Sequence, residues 1–195
     1  MLRQMAQTVV KKRKTSWSRL LVELLLIVAI VLGVRMWFQR DMPSGPAPDF
    51  QAVTMDGKLV NLQDYRGEPL LLHFWASWCD FCQFSEKSIT GISQDWPVLS
   101  VAYQSGDKAE VSEYIKSHGL EGWTTIPDED GRLAELFGVS AVPASYVIDG
   151  KGNIRIKEVG LTTGWGLRAR LWYAKNVDSL GGLFGFPSAV AGDNK

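Results

Sequence analysis

Cysteine and histidine are scarce in this chain, with two of each among 195 residues. No second cysteine pair accompanies Cys79 and Cys82, and His73 and His118 are the whole histidine complement, so a closed four-ligand metal site lacks soft donors. An excess of either charge is missing as well. The 21 basic residues balance 21 acidic ones, no basic surface stands out beyond an N-terminal cluster, and nucleic acid is not expected as a partner. Internal repeats are absent. Long apolar runs are few, and the longest, Leu20 to Val34, is interrupted only by Glu23.

What the chain has instead is a concentrated motif. Phe74-Trp75-Ala76-Ser77-Trp78-Cys79-Asp80-Phe81-Cys82 follows the apolar run Leu70-Leu71-Leu72. If a buried strand ends near Trp75 and a helix starts at Cys79, the first thiol lies exposed at a helix N-terminus, where unpaired N–H groups favour an anion. Cys82, one turn along the same face, can close a disulfide while shielded by the helix. As a structural staple the pair does little, because so small a ring is worth only about 2 kcal/mol in the loop-entropy model. As a metal site it is incomplete. A redox pair after a βα turn, in which Cys79 attacks and Cys82 resolves, is the favoured reading.

At these residues the sequence resembles the active-site run of the thioredoxin superfamily. Pro48-Asp49-Phe50, Asp56-Gly57, Asp64-Tyr65-Arg66-Gly67 and Gly138-Val139-Ser140-Ala141-Val142-Pro143 resemble its membrane-anchored bacterial branch, the TlpA/ResA/DsbE-like thiol-disulfide oxidoreductases, and within it the ScsD-type suppressors of copper sensitivity. The likeness covers about residues 46–175. It implies an α/β thioredoxin-like fold, a central mixed sheet flanked by helices, here preceded by one N-terminal transmembrane helix. It also implies that Val142-Pro143 is a cis peptide facing the cysteines, and that Trp78, Val142 and Ala144 contact substrate. Ala144 stands where many members have threonine.

Apart from that likeness, 46% apolar and 22% charged residues in this length allow one core and one domain. Residues 1–16 read as a basic N-terminus carrying Lys11-Lys12-Arg13-Lys14, and residues 17–38 as a membrane anchor flanked by Trp17 and Trp37-Phe38. A cleaved signal peptide is the rival, but Arg35, Arg40 and Asp41 intervene before the first loose small-residue site, Gly45-Pro46-Ala47. The positive-inside tendency puts residues 1–16 in the cytoplasm and the rest, for a bacterium, in the periplasm. Residues 39–48 form a proline-rich linker expected to space the domain from the membrane; residues 49–178 form the domain, and residues 179–195 a flexible tail.

Within the domain, Ala52 to Val60 reads as a hairpin across Asp56-Gly57, and Leu70–Trp75 and Val98–Tyr103 read as buried strands. Helices are predicted from Cys79 to about Gln94, from Asp107 to His118, from Gly131 to Phe137 and from Trp165 to Asn176. A second hairpin turns through Gly150-Lys151-Gly152-Asn153. Phe81 and Phe84 are expected in the core or at its rim.

Two departures from the family pattern bear on chemistry. His73 occupies the strand position where thioredoxins carry a buried acid; it either relays the proton of Cys82 as a general base or is a buried histidine bonded to the backbone. Asp80 beside Cys79 disfavours its thiolate, which points to a reductant with a potential nearer about −270 mV than ~−120 mV. Expected partners are periplasmic protein thiols and disulfides, a membrane electron-donor protein and the inner membrane; no cofactor and no metal are expected. A peroxiredoxin-type peroxidase and a Cu(I)-binding tether are the rivals. The first lacks the upstream residues a peroxidatic cysteine needs, Ala76 standing at that spacing, and the second needs only the two thiolates.

Overall fold

The computed structural model describes residues 17–184, so the basic N-terminus 1–16 and most of the expected tail lie outside the described residues. The chain divides into two units between Trp37 and Phe38.

In the first unit the dominant element is α1, Trp17–Gln39. Its apolar side chains from Leu20 to Val34 are exposed rather than packed in a core. Over Arg19–Gln39 it is long and apolar enough to cross a membrane.

The second unit begins with β1 (Gly45–Pro46), β2 (Gln51–Val53), β3 (Leu59–Asn61) and β4 (Leu70–Trp75), followed by α2 (Asp80–Ser93) and β5 (Val98–Tyr103). It continues through α3 (Lys108–Ser117), β6 (Thr124–Asp128), α4 (Arg132–Leu136), β7 (Ala144–Ile148), β8 (Asn153–Val159) and α5 (Gly164–Phe184). Six strands form one mixed sheet in the order β1-β8-β7-β4-β5-β6, with β4, β5 and β6 parallel and β7 and β8 antiparallel. This is a thioredoxin-like α/β fold.

Strand β4 is the centre of that sheet. All six of its residues are buried, as expected of an apolar run paired on both sides. Alternation sends Leu70, Leu72 and Phe74 to one core with Met42, Val60, Leu62, Phe137 and Tyr146. Leu71 and Trp75 go to the other face, with Ile89 and Ile92 of α2, Val111 and Ile115 of α3, and Leu167 and Leu171 of α5. Burying each such side chain is worth about 1.5–3 kcal/mol. Both cysteines belong to this second core.

The hairpins and α2 to α4 form where expected. The first hairpin pairs Ala52 with Val60, and Gly57 supplies the left-handed turn at φ 83°. Asp107 caps α3 by accepting from the N–H groups of Ala109 and Glu110, and Glu110 bonds back to the Asp107 N–H.

Four features differ from expectation. Strand β6 is an element that sequence patterning passes over, because Pro127 demotes its run; it tolerates the proline because only β5 ladders with it. The proline-rich segment is not a free spacer. Met42 is buried, Gly45 and Pro46 pair with β8, and Lys157 Nζ donates to the Met42 carbonyl at 2.7 Å, because that apolar side chain fills the first core. Helix α5 runs past Asn176 to Phe184, since no proline interrupts the chain there before Pro187. Finally, Phe81 and Phe84 are on the surface, not in the core, because α2 turns Cys82, Ser85, Ile89 and Ile92 inward instead.

Candidate active site

Strand β4 ends at Trp75, and the loop 76–78 carries the chain to Cys79, which is the N-cap of α2. Cys79 and Cys82 are bridged by a disulfide, with Cα atoms 5.4 Å apart. The turn is held locally by the Cys79 N–H on the Ala76 carbonyl and the Cys82 N–H on the Cys79 carbonyl, at 3.2 and 2.9 Å.

A neighbouring loop fixes this turn from the side. The Ser77 N–H donates to Ser105 Oγ at 3.0 Å, and Trp78 Nε1 donates to the Gln104 carbonyl at 2.9 Å. Gln104 takes a positive φ of 43° to present that carbonyl, and Ser105 is buried. Neither residue is marked by a motif or a periodicity, so sequence patterning does not find them.

Both cysteines are buried, Cys79 slightly less so than Cys82. Cys79 is 7% exposed and Cys82 2%. The expectation of a freely exposed Cys79 is therefore corrected. The Val142–Pro143 segment lies over it, with the Val142 carbonyl oxygen 3.6 Å from Cys79 Sγ. The Val142–Pro143 bond is cis. The Pro143 carbonyl accepts the Gly160 N–H at 2.8 Å, which ties this segment to the end of β8.

Not every expected contact residue reaches the sulfur. Trp78 stands exposed beside it and Val142 overhangs it. Ala144 does not line the site: it is buried in the first core and laddered to Phe74 on one side and Val159 on the other.

His73 is buried on the sheet, its register partners Ser100 and Ser145. By alternation it shares a face with Leu71 and Trp75, hence with the cysteine core. Its Nδ1 lies 2.9 Å from Ser145 Oγ, and its Nε2 is buried without a hydrogen-bond partner. The ring meets Trp123 edge-on, with centroids 6.3 Å apart. Burial pushes its pKa down to about 4, so the ring is neutral at pH 7. His118, by contrast, simply caps α3 and stacks on Tyr114. Among the described residues no group of three or more His, Cys, Asp or Glu side chains gathers as a metal site.

A cysteine pair bridged at a helix start, the first residue slightly less buried than the second, is suited to thiol-disulfide exchange. Comparison with known proteins agrees. The model of the AhpC/TSA family matches residues 43–157. A thioredoxin-like protein of Haemophilus influenzae is 32% identical over 128 residues, covering 60% of this chain and 75% of that protein. The thiol:disulfide interchange protein DsbE of Pseudomonas fluorescens is 31% identical over 144 residues, 71% of this chain and 81% of its own length. Among solved structures, a putative DsbE-type interchange protein of Chlorobium tepidum superposes with a TM-score of 0.61 at 26% identity, covering 68% of this chain and 98% of that one. The chain accordingly belongs to the AhpC/TSA family, in its thioredoxin-like thiol-disulfide oxidoreductase branch.

Proposed function

We propose that this chain is a membrane-anchored periplasmic enzyme that exchanges disulfides with protein substrates through Cys79 and Cys82, in the reducing direction. The observation that carries the reading is the bridged pair at the start of α2, with Cys79 the less buried residue and the Val142 carbonyl beside its sulfur.

In the reduced enzyme, the Cys79 thiolate attacks one sulfur of a partner disulfide. A mixed disulfide forms and the partner's other sulfur leaves as a thiolate, taking up a proton. Cys82, deprotonated, then attacks Cys79 Sγ; the Cys79–Cys82 bond forms and the partner's second sulfur departs as a thiol. Two electrons and two protons pass to the partner. A membrane dithiol donor must return them, by the same steps reversed.

Trp78 and the Val142–Pro143 segment are assigned to partner contact, and Pro143 positions that segment. His73 is assigned the role of a positioning residue for the proton of Cys82: it is neutral, shares the cysteine face, and keeps one ring nitrogen uncommitted. Direction is supported by Asp80, which opens α2 and occupies the helix N-terminal field that a thiolate at Cys79 would otherwise enjoy. Location is supported by α1 and by the basic cluster that precedes it.

Trapping tests the assignment. Cys82→Ser leaves Cys79 without its resolving partner, so mixed disulfides with periplasmic proteins should accumulate and dissolve on adding a thiol reductant. If the variant captures no protein and instead merely loses bound Cu(I), the chain is a copper tether. If the wild-type chain consumes peroxide, it is a peroxidase.

A further inference from the structure

Outside α1, ten large apolar side chains are exposed among the described residues, and half of them lie on the segments that carry or adjoin the cysteine pair: Trp78, Phe81 and Phe84 on the turn and first turns of α2, Leu161 and Trp165 on the stretch that follows β8. Trp78 adjoins Cys79 in the chain. Phe81 and Phe84 lie on the outer face of α2, 64% and 73% exposed, with ring centroids 6.4 Å apart. The Gly160 N–H on the Pro143 carbonyl sets Leu161 just beyond the cis peptide. Trp165 is 76% exposed and follows Gly164, whose missing Cβ would stand 3.2 Å from Ser88, one turn of α2 after Phe84.

Exposed apolar side chains gain nothing for folding, and where they adjoin, as the Phe81 and Phe84 rings do, they mark a candidate interaction surface. The reaction decides what covers it. A partner sulfur must come within about 2 Å of Cys79 Sγ to bond, and a sulfur so recessed is reached only by a chain lying down on the rim. Phe84 is five residues beyond Cys79, about 7.5 Å along the helix axis. An extended polypeptide covers that distance in two or three residues at about 3.4 Å each. The residues flanking the partner's cysteine are thus the ones that meet this ridge.

We propose that Phe84, with Leu161 and Trp165, extends the site into an apolar ridge that selects partner polypeptides whose exchanging cysteine is flanked by large apolar residues. The proposal rests on the exchange reading above and names its substrate class: segments that a folded partner buries, presented while it is unfolded or membrane-bound.

The test uses the full chain, reduced, in lipid nanodiscs, with two symmetric disulfide-linked peptide dimers, one with Leu and Phe flanking its cysteine and the other with Ser and Asn. Symmetry makes attack on either sulfur equivalent: Cys79 releases one peptide thiolate, and Cys82 then displaces the second. Each variant's rates are normalised to its own rate with hydroxyethyl disulfide. The wild type should prefer the apolar dimer by about tenfold in kcat/KM. Phe84→Ser should bring that ratio near unity, Phe84→Leu should keep most of it, and Trp165→Ser should lower it in part. Equal wild-type rates, or a ratio unmoved by Phe84→Ser, overturn the proposal. So does an unmoved ratio accompanied by loss of a chain dimer in sedimentation, or by loss of Trp165 quenching from brominated lipid, since the ridge then serves a second copy or the bilayer. Failure with all three disulfides would instead overturn the exchange reading itself.

Discussion

His73 Nδ1 and Ser145 Oγ face each other at 2.9 Å, joining the strand that leads into Cys79 to the strand that leaves the cis peptide. Both side chains are buried. With the ring proton on Nδ1, that nitrogen donates to Ser145 Oγ and the unpartnered Nε2 is left as a bare acceptor rather than a buried N–H, the state in which it can take up a proton.

That burial makes stability depend on pH. His73 titrates near its ordinary 6.5 in the unfolded chain and about 4 in the fold, so between those values the unfolded state binds more protons. Stability from this residue is complete above about 6.5 and drains away as pH falls towards 4, by up to about 3 kcal/mol. In urea unfolding, the difference between wild type and His73→Leu should change with pH across that window and level off above it. A constant difference would refute it.

The carboxylate of Asp80 is the second lever. In Asp80→Asn, the negative neighbour of Cys79 is gone, the dithiol form is easier to charge, and the potential should rise by about 20–30 mV, equivalent to about 1 kcal/mol. Equilibration with glutathione followed by alkylation reads it. A fall in potential would reverse the assignment of Asp80.

Gly138 offers a structural prediction. It has φ 61°, and a Cβ there would collide with the Asp41 carbonyl. Gly138→Ala combines about 1–2 kcal/mol of left-handed strain with displacement of the segment that carries buried Met42. The thermal midpoint should fall, and amides around Met42 should exchange faster with solvent.

Asp107→Ala removes one side of a capping box, the two bonds its carboxylate accepts from the Ala109 and Glu110 N–H groups, while the backbone N–H of residue 107 can still donate to Glu110. The expected cost is about 1 kcal/mol, read from the denaturation midpoint, with exchange of the sulfurs untouched.

Much of this arrangement was legible in the residues. The run Leu70–Trp75 had to be a strand buried on both faces, and Cys79 had to begin a helix, because apolar continuity and N-terminal patterning are local signals. What stayed hidden depends on distant partners. Thr124–Asp128 becomes a strand only because β5 offers it a ladder. Gln104 and Ser105 matter only because they grip Ser77 and Trp78 from across the fold, and Ser145 because it stands opposite His73. The recess around Cys79 comes from Val142, 63 residues away.

The two outermost strands of the six-stranded sheet each contain a proline, Pro46 in β1 and Pro127 in β6, and the Met55 N–H already occupies the Thr125 carbonyl on the β6 flank. Neither flank offers an uninterrupted row of donors. A foreign backbone therefore finds little to zip onto there, which guards the sheet against edge-to-edge growth into fibrils.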